Sequence, residues 1–259
     1  MIANDPNLEI YLARDEQDLL GAQRLRYRVF VKELGGDGPL VDHHNQLEKD
    51  QFDQHFDHLI LVDRRRDAAQ LNHVVGVYRM LRGVTADRAG GFYSEVEYDL
   101  SALRNSGRKL LELGRSCLDK EYRGGMALHL LWSGLADYVA RHEVEILFGV
   151  ASFHGTNLST LREPLSYLHH RHLAPEDLRV RLWSGQGLPA NIMDRETIDR
   201  LSATRALPAL IKAYLRLGGF VGQGAYVDQA FNTTDVCLIL DIARMNPHQK
   251  RLYTGETTK

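Results

Sequence analysis

Apolar positions along the chain change spacing from stretch to stretch, and each change marks an element. Residues 8–12 read as a short strand. Leu19, Leu20, Ala22, Leu25, Val29 and Phe30 then recur at the spacing of one helix face, which predicts a helix over 16–33. Gly35-Gly36-Asp37-Gly38-Pro39 ends it. Residues 40–57 are polar and without period. Two apolar blocks, 58–63 and 74–81, are joined by a charged turn from Arg64 to Asn72, the pattern of a hairpin. Strand 109–118, helix 126–141 and strand 146–151 follow. Beyond them the pattern predicts a helix over 157–170, a strand over 179–183, a helix over 208–217 and a last strand over 235–241. A hairpin followed by β-α-β implies an α/β fold, with a central mixed, partly splayed sheet flanked by helices and strand 109–118 near its middle. No linker-like stretch interrupts it, so 1–259 reads as a single domain.

Composition narrows the function classes. The chain has 259 residues, 44% of them hydrophobic and 25% charged, enough to bury a real core. A formal net charge of −2 argues against nucleic acid as a bulk electrostatic partner. Two cysteines, Cys117 and Cys237, make no disulfide framework and no metal-ligand spacing, so a reducing cytoplasm is expected. The first ten residues lack a signal-peptide pattern, and no run reaches the length of a membrane span. Peripheral contact with the inner membrane face stays open.

Two short stretches carry the candidate chemistry. Glu48-Lys-Asp50-Gln-Phe-Asp53 packs three carboxylates into six positions. Leu110-Leu111-Glu112-Leu113-Gly114-Arg115 sets a Glu inside an apolar run with an Arg three residues on. A carboxylate in such a run is either paired, here with Arg79 or Arg115, or poised for chemistry, because desolvating it alone is costly. Tyr122-Arg123-Gly124-Gly125-Met126-Ala127 sits where a strand turns into a helix. Its glycines let backbone approach a ligand, and free N–H groups at a helix start suit a phosphate; a plain strand-to-helix turn is the alternative. His169-His170-Arg171-His172 points in several directions from a helix and has no acid at ligand spacing, so no metal and no resident cofactor are expected. Arg64-Arg65-Arg66 reads as a charged turn, with an acidic carrier protein or anionic headgroups as the other reading.

The order strand, Tyr-Arg-Gly-Gly-x-Ala turn, long helix, apolar strand resembles the acyl-donor motif of the GNAT N-acyltransferase superfamily, with a loop one residue shorter than the usual Arg-Gly-x-Gly-x-Gly/Ala. The set Arg26-x-x-x-Phe30, Glu48-x-Asp50-x-Phe-Asp53, Gly76-x-x-Arg79 and Glu112-x-x-Arg115 looks like the signature of the acyl-homoserine-lactone synthase branch and its relatives, the N-acyl amino acid synthases and the ornithine acyltransferases of bacterial ornithine-lipid synthesis. The likeness covers roughly residues 20–155. Beyond about 175, residues 207–219 and 228–236 resemble the C-terminal extension of the ornithine acyltransferases.

The resemblance implies transfer of a 3-hydroxyacyl group from acyl carrier protein to the α-amino group of L-ornithine, giving lyso-ornithine lipid. The alternatives are another acceptor, such as glutamine, or acyl-homoserine-lactone synthesis. It places Glu112 as the base, with Arg115 beside it in the catalytic group. Arg26, Phe30, Glu48, Asp50, Asp53 and Arg79 fall on the acceptor side, and Arg123, Gly124 and Gly125 on the acyl donor. The acids either receive the acceptor's ammonium or form an internal ion network with the arginines. Arg104, Arg108 and Lys109 are the expected docking charges for the carrier protein.

Overall fold

The computed structural model describes residues 5–184 and 186–245; residues 1–4, on which the reading of the N-terminus partly falls, lie outside these. In chain order the elements are β1 (Leu8–Leu12), α1 (Glu16–Arg26), β2 (Asp57–Asp63), β3 (Val74–Arg82), α2 (Gly83–Ala89), β4 (Tyr98–Asp99), α3 (Ser101–Arg104), β5 (Leu110–Leu118), α4 (Met126–Arg141), β6 (Ile146–His154), α5 (Leu158–His172), β7 (Arg181–Leu182), α6 (Arg200–Ala206), α7 (Ala209–Arg216), β8 (Phe220–Val221), β9 (Tyr226–Asp228) and β10 (Thr233–Asp241). They fall into two compact units. One takes the described residues of 1–89 with 113–143, the other 90–112 with the described residues of 144–250, so β5 runs from the second into the first.

In the first unit β1, β2 and β3 form antiparallel pairs, and β3 neighbours β5 in the strand order. The core gathers Ala22 and Leu25 of α1 with Val29, Ile60, Val62, Val74, Val77 and Cys117. Helix α1 starts where Asp15 accepts the Asp18 N–H at 2.9 Å, with Glu16 and Asp18 favourable near the positive helix end. The predicted 16–33 helix is α-helical only to Arg26. Tyr27–Glu33 continues as wider π-helical turns, where Tyr27-Arg-Val-Phe-Val supplies aromatic and β-branched residues that pack poorly in a regular helix. Gly35 then takes φ +74°, the left-handed conformation glycine adopts without strain, and the segment stops. Helix α4 runs over the predicted residues and meets β1 and β2 at Gly134, where a Cβ would come 2.6 Å from Ile10 Cδ1.

In the second unit the first three residues of β5 pair in parallel with β6, from Leu110↔Ile146 to Glu112↔Phe148. Strand β6 is antiparallel to β10 over nine pairs, and β8 and β9 pair with β10. Parallel and antiparallel pairs together make the mixed α/β sheet that the pattern predicts. The predicted 179–183 strand shrinks to Arg181–Leu182, because its partner β4 is only two residues long. Helices α2 and α6 lack a long apolar period. The start of α6 depends on Asp199, whose carboxylate accepts the N–H groups of Leu201 and Ser202.

Candidate active site

Two strands, one helix and the polar 40–57 segment build an ion network in the first unit. The segment is ordered by its own polar groups. Asp42 and Leu47 exchange backbone hydrogen bonds, Asp50 accepts the Phe52 N–H at 2.9 Å, and Asp53 opens a short 3-10 turn. These turns aim Glu48, Asp50 and Asp53 at three arginines. Arg26, at the end of α1, donates to Glu48 through Nε and to Asp53 through Nη1, the latter at 2.6 Å. Arg79 of β3 reaches Asp50 at 2.7 Å and Asp53 at 2.8 Å. Arg115 of β5 reaches Glu48 at 3.1 Å and Asp50 at 3.4 Å.

Three guanidiniums and three carboxylates thus balance, so an arriving ammonium meets no net negative charge here. Burial opposes ionisation of Glu48, but Arg26 and then Arg115 outweigh it and hold the carboxyl down to about 2. Burial also opposes the charge on Asp53, and Arg26 and Arg79 overcome it, so its carboxyl lies well below the usual range. Arg26 is fully buried, whereas the side chains of Asp50 and Arg115 keep 18% and 14% of their surface. The network therefore presents Asp50 and Arg115 outward. Arg115 holds φ +49°, a conformation costly for a residue with a side chain, inside a nine-residue strand.

Glu112 lies in the second unit and is 1% exposed. Its Oε2 accepts the Tyr93 N–H at 2.8 Å, and its Oε1 accepts the Ser94 N–H at 2.7 Å and the Ser94 hydroxyl at 2.5 Å. These donors sit on a 3-10 turn, Tyr93–Val96, that is itself fixed. Glu95 accepts the Phe92 N–H and pairs with Arg104, and the Glu95 carbonyl accepts the Trp183 indole N–H at 2.7 Å. Arg79 and Arg115, the partners that the alternative reading of Glu112 names, also engage Asp50, Asp53 and Glu48. Ser94 was not among the sequence candidates. It acts across an 18-residue separation, and no local spacing signals it.

The remaining candidates divide. Phe30 packs against the first unit's core. Arg123 donates to both oxygens of Glu33 and to the Leu118 carbonyl. Gly124 has φ +77°, and Gly125 starts α4 with no side-chain cap, so the first N–H groups of that helix are left to solvent or a ligand. Of the expected docking charges, Arg108 forms a bidentate pair with Asp241 and Arg104 is held by Glu95, so both also serve within the unit. Arg64, Arg65 and Arg66 likewise pair with Glu9, Asp63 and Asp119. His169 to His172 occupy the last turn of α5, and no metal-holding cluster occurs among the described residues.

Residues 25–133 match the family described as Acetyltransferase (GNAT) domain. The chain is 55% identical over 254 residues to an L-ornithine N(alpha)-acyltransferase of Rhodobacter capsulatus, covering 98% of this chain and 97% of that protein. It is 39% identical to one of Brucella abortus, covering 98% and 91%. Two solved structures share the fold: FeeM, an N-acyl amino acid synthase from uncultured soil microbes, with a TM-score of 0.53 at 12% identity and 92% of each chain covered, and the AHL synthase LasI, with 0.50 at 15% and 97% of each. At those identities the likeness speaks to architecture alone.

Proposed function

We propose that this chain, which belongs to the L-ornithine N(alpha)-acyltransferase family, moves a fatty acyl group onto the α-amino nitrogen of L-ornithine. The observation that carries the reading is 55% identity to a relative of that name across 98% of the chain. The donor in this reading is a 3-hydroxyacyl thioester on acyl carrier protein and the product is lyso-ornithine lipid; the shortened Arg123-Gly124-Gly125 loop supports a donor other than free acyl-CoA. Uncapped N–H groups at the start of α4 would meet the donor's phosphate.

The chemistry is a single displacement. The α-ammonium gives up a proton, the free amine attacks the thioester carbon, the C–N bond forms, and the C–S bond breaks to release the carrier's thiol. Glu112 is assigned the proton, directly or through a water, with the Tyr93 and Ser94 donors fixing its orientation. Asp50 and Arg115 are assigned to the acceptor because they are the outward members of the ion network, and Arg26, Glu48, Asp53 and Arg79 hold them in place.

The test incubates purified protein with 3-hydroxyacyl carrier protein or the matching acyl-CoA, and with ornithine, lysine, glutamine or S-adenosylmethionine, reading products by mass spectrometry. An amide at the α-nitrogen of ornithine, formed from the carrier-bound donor, is the expected result. A better yield with glutamine would overturn the acceptor, and equal use of acyl-CoA would overturn the donor.

A further inference from the structure

The stretch 200–219 holds four cations, Arg200, Arg205, Lys212 and Arg216, and no acid. It folds as α6 and α7, two helices joined at Leu207-Pro208. Ala203 is the buried position of α6, and Leu201 and Arg205, four residues apart, lie on the opposite face. Leu201 is 60% exposed, which for a leucine on a regular helix is a large apolar surface left in water. On α7, Ile211 and Tyr214 are buried, and the far face carries Ala209 and Lys212. Lys212 Nζ donates to the Arg205 carbonyl at 2.9 Å, so the outward faces of the two helices join into one surface. A second exposed aliphatic side chain is tied to the start of α6 through α5. Ile192 is 40% exposed, and its N–H is held by Ser166 Oγ, one helical turn along α5 from Glu163, which accepts the Asp199 N–H and the Ser202 hydroxyl at the start of α6.

We propose that this α6–α7 surface docks the protein on an anionic lipid bilayer, with Leu201 and Ile192 entering the headgroup–acyl boundary and Arg200, Arg205 and Lys212 facing lipid phosphates. Charge complementarity selects the occupant. Cations of an acid-free run around an exposed leucine fit a negatively charged apolar interface, and such binding adds apolar burial to attraction of the cations. Of the acids tied to α6 or just ahead of it in sequence, Glu163, Asp194, Glu196 and Asp199, two are committed to holding the start of α6, Asp199 by capping it and Glu163 by accepting from Asp199 and Ser202. The inference goes beyond the acyl-transfer reading and does not depend on it.

The experiment sediments the full chain with vesicles of phosphatidylcholine, with and without phosphatidylglycerol, in the absence of substrates. Binding to the anionic vesicles is expected, falling as salt is raised. The triple variant Arg200→Glu, Arg205→Glu, Lys212→Glu should lower it at least about tenfold. Leu201→Ser should weaken binding while leaving thermal unfolding and vesicle-free acyl transfer at wild-type values, and it decides the matter if the triple variant fails to fold. No binding, equal binding to neutral vesicles, or Leu201→Ser binding as wild type would overturn the proposal. So would a triple variant that keeps vesicle binding but raises the KM for acyl carrier protein, which would assign the surface to the carrier.

Discussion

Glu48 and Glu112 are both about 1% exposed, and the fold treats them in opposite ways. Glu48 sits in the first unit against the full positive charges of Arg26 and Arg115, which cancel its own. Glu112, in the second, is gripped by the N–H groups of Tyr93 and Ser94 and by the Ser94 hydroxyl. Arginines hold the Glu48 carboxylate with full opposite charges, whereas dipolar donors hold the Glu112 carboxylate and fix its orientation; both arrangements favour the ionised form. The difference separates an acid tied into a network of charges from one held by a single turn of neutral donors, although the two stretches stand out equally in the sequence.

The comparison is broken most forcefully at Arg26. Arg26→Met leaves Glu48 and Asp53 short of a buried cation and should destabilise the fold by about 3–5 kcal/mol, the usual result of removing one partner of a buried pair. Chemical denaturation gives the value. Adding Glu48→Gln to Arg26→Met should recover part of it, because the stranded charge is gone. A loss below about 1 kcal/mol for the single variant would mean that water reaches the network, and Glu48 would cease to be the neutralised member of the contrast.

At Glu112 the expected loss is in rate. Glu112→Gln should lower turnover at least about a hundredfold, the scale of a lost general base. It also turns an amide N–H₂ toward N–H donors, at a local cost of about 1–3 kcal/mol. Ser94→Ala is the control, removing one donor and leaving the carboxylate. Turnover per folded molecule should then stay within about tenfold of wild type. If both variants lose stability alike and neither loses turnover per folded molecule, Glu112 serves only to anchor the Tyr93–Val96 turn.

Sequence reading reached one side of this contrast more easily than the other. Arg26, Glu48, Asp53 and Arg79 stand in a pattern of order and spacing, and the segment between them folds by short-range turns that its own residues dictate. The major helices and strands were legible because their apolar faces repeat over many residues. What escaped was set by distant partners. Ser94 matters only because β5 brings Glu112 to it, the predicted 179–183 strand is trimmed by a two-residue partner, and the pairing of Arg104 with Glu95 and of Arg108 with Asp241 has no local signal. Arg115, three residues from Glu112 in sequence, likewise reaches Glu48 and Asp50, far away along the chain.

Acid titration sharpens the contrast further. The Glu48 carboxyl is held at about 2 in the fold, against about 4.3 in the unfolded chain. Its folded value is depressed, so its contribution to stability is present above the unfolded value and is lost as pH falls from about 5 toward 2. Asp53 shifts in the same direction, and burial lowers His58 below 6.5, which adds a loss starting near that pH as the unfolded chain takes up a proton. Thermal unfolding across this range should show an acid limb of about 3 kcal/mol from Glu48 alone, and more with Asp53 and His58, for wild type. Arg26→Met should flatten it, because the cation that depresses both acids is gone. An unchanged limb would place the acid sensitivity elsewhere.

The smallest effect is expected at the network's outer edge. Asp50→Asn keeps shape and removes a charge that is 18% open to solvent, so stability should change by no more than about 1 kcal/mol. Its two arginine partners differ in burial: Arg79 is 1% exposed and keeps Asp53, whereas Arg115 is more open and keeps Glu48. The vacated charge therefore falls mainly on the side where the acceptor is proposed to bind. The KM for ornithine should rise several-fold with the KM for the acyl donor unchanged. A matched rise in both constants would instead mean that Asp50 holds Arg115 in its left-handed conformation and shapes β5 as a whole, making the entire network a positioning device with no member in contact with the acceptor.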